Sequence, residues 1–167
     1  LAVGKNIDYV LVKSFNQYTF KAVNLVLAKN LVGSQFAKNF IEVESEEELS
    51  NYKEGDKKIP FFVSAEVKGS DLVGLRYHQL LPYALPYENA DNAFQVISGN
   101  FVTTEDGTGI VHIAPTFGSD DAQVAAENNV PPLLVLDENE NPVPLVDLQG
   151  KFRMEMKEWG GKYVKNE

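Results

Sequence analysis

The chain has no cysteine, an absence that excludes disulfides, thiolate metal sites and a cysteine nucleophile. It fits a reducing, cytoplasmic setting. Histidine is almost as scarce. The two copies, His78 and His112, lie far apart in sequence and propose no metal pair, and no other cofactor is implied. No stretch approaches the roughly 20 apolar residues of a membrane-spanning helix, so no membrane partner is expected. Basic residues are in deficit, 15 Lys and Arg against 24 Asp and Glu, leaving a net charge of −9. A nucleic-acid binder acting alone draws most of its affinity from a basic face, and this chain should repel such a partner at long range.

What is present is an ordinary globular composition, 44% hydrophobic and 23% charged over 167 residues, enough to bury a core in a single domain spanning 1–167. The chain opens at Leu1 with no methionine and no signal-like segment, which reads as a piece cut from something longer.

Periodicity predicts short strands with a few helices between them. Asp8 to Ser14 alternates around Tyr9-Val10-Leu11-Val12 and reads as a strand, with a turn at Asn16-Gln17 and an antiparallel partner over Phe20 to Leu27. A short helix is expected from Ala28 to Phe36, and another from an N-cap at Ser45 through Tyr52. The five glutamates between Glu42 and Glu48 read as a solvated acidic face. Gly55 and Pro60 bracket a turn before a strand over Phe61 to Val67, and His78 opens a proline-bearing surface loop, Leu81 to Ala93. Further strands are expected at Phe94 to Ile97, Phe101 to Thr104, Leu133 to Leu136 and Pro142 to Val146, the last at an edge because proline cannot donate to a ladder. Phe152 to Trp159 reads as a closing helical turn, and the chain from about Gly160 on should fray. The whole is a mixed α+β or β-barrel-like pattern.

The chemistry concentrates between Gly107 and Asp121. Gly107-Thr108-Gly109 is a turn that supplies positive φ and close backbone approach. Ile110-Val111-His112-Ile113-Ala114 reads as a buried strand stopped by Pro115. Gly118 then frees the chain to turn, with Ser119 as N-cap of a helix over Asp120 to Asn128. Each residue also has a plain reading. Aspartates in a first helical turn gain about 0.3–1 kcal/mol from the helix dipole alone. A histidine between β-branched residues is commonly a satisfied structural residue, and Gly-Thr-Gly lacks the third glycine of a dinucleotide fingerprint.

As an ordered string, however, Gly107 to Pro115 followed by Phe117-Gly118-Ser119-Asp120-Asp121 closely resembles the signature of the editing domain of isoleucyl-tRNA synthetases, with related strings in the leucyl and valyl enzymes. Leu1-Ala2-Val3-Gly4, Asn24 to Gly33 and Gly69 to Tyr83 are similar to the isoleucyl enzymes too, so the resemblance spans nearly the whole chain. It implies a barrel-like fold and hydrolysis of the ester of valyl-tRNA(Ile). The partners would be the tRNA(Ile) 3′ end and the remainder of the synthetase in cis. In the family the residue at the place of Asp121 takes the α-ammonium of the misattached amino acid, and the one at His112 lines the side-chain pocket. Gly107, Thr108, Gly109, Ala114, Pro115 and Gly118 would line the approach to the terminal adenosine. Asp120 would serve the helix end.

Two departures matter. The family's threonine-rich stretch, which precedes the position of Leu1 and forms the opposite pocket wall, is absent from this chain, so a fragment with a half-built site is expected. Many bacterial members carry histidine where Phe117 stands. Two other readings compete: a non-catalytic docking or binding module, and an unrelated hydrolase pairing His112 with Ser64, Ser70, Ser98 or Ser119. The second lacks a Gly-x-Ser-x-Gly elbow.

Overall fold

The computed structural model describes residues 1–165. The chain forms two compact units, one of Leu1–Gly74 with Val96–Val111, the other of Leu75–Gln95 with the chain from His112 onward.

In the first unit the strands are β1 (Ala2–Val3), β2 (Asp8–Phe15), β3 (Ala22–Ala28), β4 (Phe40–Glu42), β5 (Ile59–Lys68), β6 (Ile97–Ser98) and β7 (Ile110–Val111). A four-stranded sheet runs in the order β3-β2-β5-β4, with β2 antiparallel to both neighbours and β4 parallel to β5. A second sheet sets β1 between β6 and β7. Strand β2 carries much of the core. Tyr9, Val10 and Val12 are fully buried, and the polar Ser14 beside them is satisfied by donating to the Pro60 carbonyl at 2.9 Å. Val10, Val12, Leu27, Phe36 and Phe61 form one apolar cluster, and Val3, Tyr9, Ala28 and Leu31 another.

Several expected boundaries move. The Asn16 side chain makes the expected turn, its Oδ1 accepting from the N–H groups of Tyr18 and Thr19 at 2.9 Å. Phe20, placed in the strand from sequence, sits in that turn at φ 58°. The Ala28–Phe36 helix is a 3-10 turn (Lys29–Leu31) running into α1 (Val32–Gln35). Past Ser45 there is a 3-10 turn, Glu46–Asn51, in which Glu48 Oε1 accepts from the Ser45 N–H at 3.0 Å. A short helix, α2 (Gly69–Leu72), follows β5. Of Phe94–Ile97 only Ile97 joins a strand, because Phe94 adopts φ 56°, and Phe101–Thr104 forms none.

The second unit holds a 3-10 turn (Ala90–Asn92), the helix α3 (Ser119–Glu127), an antiparallel hairpin of β8 (Leu134–Leu136) and β9 (Pro142–Pro144), and a 3-10 segment, Met154–Trp159. Beyond Gly160, the Gly161 N–H donates to Phe152 and the Val164 N–H to Gly150, at 2.8 and 3.0 Å. Of the tail expected to fray, residues 166–167 lie outside the described residues.

The architecture is therefore mixed α and β with three open sheets. The barrel-like closure implied by the resemblance is not made by the pairings among the described residues. The four-stranded sheet ends at β3 and β4, and most of the remaining strands are two or three residues long. So few ladder positions hold a local pair but do not close a sheet on itself.

Candidate functional site

The signature divides between the two units: Gly107 to Val111 belong to the first and His112 to Asp121 to the second.

In the first unit the Gly-Thr-Gly turn is held by its carbonyls. Gln35 Nε2 donates to Gly107, the Ala28 N–H to Thr108, and the buried Tyr9 hydroxyl to Gly109, at 2.7, 2.8 and 2.6 Å. The same hydroxyl accepts from the Gly4 N–H at 3.0 Å. Burial pushes the Tyr9 hydroxyl above its ordinary pKa, with the Gly4 N–H opposing. Gly109 sits at φ 72°, and a Cβ there would lie 2.6 Å from the Ala28 Cβ. The turn's geometry is thus dictated by packing on β2 and β3. Gly107 and Thr108 remain exposed.

In the second unit the residues from Ala114 to Asp121 close on themselves. The Ala114 N–H donates to Asp121 Oδ2 at 2.8 Å, and the Ala114 carbonyl accepts from the Phe117 and Gly118 N–H groups, both at 3.1 Å. This explains two differences from the sequence reading. The expected strand Ile110–Ala114 ends at Val111, since the Ala114 amide is held by a carboxylate and not by a ladder. The N-cap of α3 is Gly118, with Ser119 as the first helical residue. A Cβ at Gly118 would stand 3.1 Å from Asp121 Oδ2, so glycine leaves room for the carboxylate to fold back over the helix start.

Asp121 is half-buried, and its Oδ1 takes part in no hydrogen bond among the described residues. An ionised carboxylate has about four acceptor positions, so one N–H leaves capacity for an external donor. Pro115 and Gly118 share this closed loop with Asp121, while Asp120 is exposed, beside the Ser119 hydroxyl at 3.5 Å. His112 is exposed, one residue past the end of β7. Phe117 is 72% exposed, a large apolar ring open to solvent next to the loop.

The serine-hydrolase reading finds no support. Ser64 donates to the Leu11 carbonyl and Ser119 to Asp120, and no serine–histidine hydrogen bond forms among the described residues. Among the described residues no group of three or more His, Asp or Glu is arranged to hold a metal ion. No helix there is long and apolar enough to cross a membrane.

Sequence reasoning missed an amide-lined groove next to the loop, bounded by Pro115 and Ala122 and rimmed by Asn92, Gln95 and Asn128. Its residues come from three separated stretches, and only a folded chain reveals them as neighbours.

The chain is similar to the isoleucine–tRNA ligase of Cytophaga hutchinsonii, 53% identical over 165 residues, which is 99% of this chain and 14% of that protein. It is 48% identical over 182 residues to the Bacteroides fragilis isoleucine–tRNA ligase, covering 15% of it. To the Clostridium tetani ligase it is 38% identical over 165 residues, covering 12%. The chain therefore spans about one seventh of the length of the curated relatives it matches, and is homologous to one segment of isoleucine–tRNA ligases. No protein-family model matches it.

Proposed function

We propose that this chain is the editing segment of an isoleucyl-tRNA synthetase, acting on tRNA(Ile) that carries the wrong amino acid and hydrolysing its ester. The observation that carries this reading is Asp121, a carboxylate fixed through one oxygen by the Ala114 N–H and keeping the other for a cationic ligand. Homology to a segment of isoleucine–tRNA ligases supports an acylated tRNA(Ile) as the substrate class.

The need for such a step is energetic. A pocket shaped for one side chain rejects an analogue smaller by one methylene by only about 10–200-fold, a limit for which isoleucine against valine is the standard illustration. A second, hydrolytic site removes what passes. In the proposed mechanism Asp121 Oδ1 takes the α-ammonium of valyl-tRNA(Ile) in a charge-assisted hydrogen bond. Water attacks the ester carbonyl, the bond to the ribose oxygen breaks, that oxygen takes a proton, and free valine leaves. The anchor's work is positioning, which can supply several kcal/mol of a barrier. His112 acts in selectivity by bulk and placement. Ala114, Pro115 and Gly118, in the same loop as Asp121, supply backbone along the approach of the terminal adenosine. No cofactor enters the scheme.

The test is release of valine from valyl-tRNA(Ile) by this chain and by a form extended upstream through the threonine-rich stretch. Asp121→Ala and Asp121→Asn are compared in each. Asparagine keeps a carbonyl oxygen for the Ala114 N–H and loses only the charge, so its fold should be unchanged. A drop of at least about a hundredfold in kcat/KM for both variants is expected. If the extended form folds yet releases no valine above the buffer rate, the hydrolase reading fails and a non-catalytic docking segment takes its place.

A further inference from the structure

The four-stranded sheet ends in two unlike edges. At one, β4 is three residues long and its last residue opens the run from Glu42 to Glu48, so brevity and charge both discourage a further strand. At the other, β3 reads Ala22-Val23-Asn24-Leu25-Val26-Leu27-Ala28, with no charge, proline or glycine, and its register against β2 is unbroken. Leu25 and Val26 are 43% and 39% exposed, on opposite faces of the strand. Native sheets seldom leave an apolar edge of this length without a guard.

The backbone along this edge is available. The Ala28 N–H turns away from β2 and donates to the Thr108 carbonyl at 2.8 Å, which closes the edge at that end. Outward and inward groups alternate along an antiparallel strand, so the N–H and C=O groups of Val26, Asn24 and Ala22 point the same way as those of Ala28. The outward groups of Asn24 and Val26 take part in no hydrogen bond among the described residues. The open stretch is therefore Ala22 to Val26, and its middle residue is Asn24.

We propose that this stretch pairs with the same stretch of a second copy of the chain, antiparallel about a two-fold axis at Asn24. The stretch is self-complementary. Turned end for end, it sets Asn24 against Asn24, Val23 against Leu25 and Ala22 against Val26, with no charge facing a charge. Asn24 with Asn24, and Ala22 with Val26, are pairs that exchange both N–H···O bonds. The two ends of the stretch also match. Beyond Val26 each copy has Thr108 bonded to Ala28, and before Ala22 each chain leaves β3 for its turn. Val23 and Leu25 share the face of Leu27, so the apolar cluster of Val10, Val12, Leu27, Phe36 and Phe61 continues across the join. The assembly closes at two, because each copy's open edge is used. So short a ladder makes a weak, transient contact, and a net charge of −9 on each copy opposes it at low salt. The pairing is independent of the hydrolase reading.

Sedimentation equilibrium of this chain is the test. Between about 10 µM and about 1 mM the mean mass should rise from 18.6 kDa toward twice that value and no further. Association should tighten about threefold or more as salt goes from about 50 to about 200 mM, since the repulsion between copies is screened. Asn24 is exposed, so Asn24→Lys and Asn24→Glu should fold, and each alone should be monomeric because like charges face each other at the axis. Mixed in equal amounts, the two should associate again. Val26→Pro removes an outward N–H and no ladder bond, so it too should fold and stay monomeric. Ile41→Lys, on the exposed β4 edge, should associate like the native chain. A native chain that stays monomeric throughout, or that grows beyond the dimer, would overturn the proposal. So would a folded Val26→Pro or Asn24→Lys variant that still associates, a mixture no more associated than its two components, or loss of association in Ile41→Lys.

Discussion

Gly107 and Gly109 both adopt positive φ, 66° and 72°, but they meet different surroundings. Nothing stands within 4 Å of a Cβ built at Gly107, whereas one at Gly109 would press on Ala28. Gly107→Ala should therefore cost only the left-handed backbone penalty, about 1–2 kcal/mol. Gly109→Ala should add an overpacking cost of about 1–3 kcal/mol. Urea unfolding of the two variants checks the order, and equal losses would refute the packing argument. Tyr9 reports on the same turn. Its hydroxyl bridges the Gly4 N–H and the Gly109 carbonyl, and its pKa is raised above 10.0 by burial. Above pH 10 the unfolded chain gives up this proton while the folded chain retains it. The stability that Tyr9 contributes is thus fully present below pH 10 and is lost as pH rises through the raised folded value. Tyr9→Phe should lower stability by about 1–3 kcal/mol at neutral pH by leaving two polar groups unpaired. It should also flatten the alkaline decline in unfolding free energy.

At the scale of elements, the hairpin of β8 and β9 depends on one carboxylate. Asp137 Oδ1 accepts from the N–H groups of Asn139 and Asn141 at 2.8 and 2.9 Å, and the Asn141 and Asn139 amides hold its pKa below 3.8. The contribution is present above pH 3.8 and lost as pH falls through the lower folded value. The protection of the Asn139 and Asn141 amides, relative to their intrinsic exchange rate at each pH, should therefore fall in acid. In Asp137→Asn that protection should be lower already at neutral pH, with little further change on acidification. Strands β2, β3 and most of β5 were legible in the sequence, because alternation and turn residues agree over long stretches. Less legible were elements set by partners distant in the chain. Two-residue β1 carries no period of its own and is a strand only because β6 and β7 flank it. Pro60 reads as a turn residue yet lies in β5, tolerated near the strand's start. The Ile110–Ala114 strand was overestimated because nothing local tells that a carboxylate seven residues on takes the Ala114 amide. The candidate site divides likewise. Asp121 and its loop are visible as an ordered string, while the groove behind it is assembled from three separated stretches and has no linear signature.

For the whole molecule, net charge sets the terms of association. With −9 on 167 residues, the chain repels a polyanion, and no cluster of local contacts alters that at distances beyond a Debye length of about 10 Å. A basic protein making 6–10 phosphate contacts loses about 10³–10⁵ in affinity between 50 and 200 mM salt, because each contact releases counterions. This chain should show the opposite trend. Uncharged tRNA(Ile) should bind more weakly than about 0.1 mM, below the usual non-specific range, and added salt should leave the affinity flat or raise it slightly by screening the repulsion. Filter binding or sedimentation across that salt range measures the slope. A steep loss with salt would mean that phosphate contacts dominate, and would remove the premise that tRNA is held elsewhere while this segment meets only the acylated end. A flat slope, with valine release from the extended form, would assign recognition of the tRNA body to the rest of a synthetase and the discrimination step to this segment.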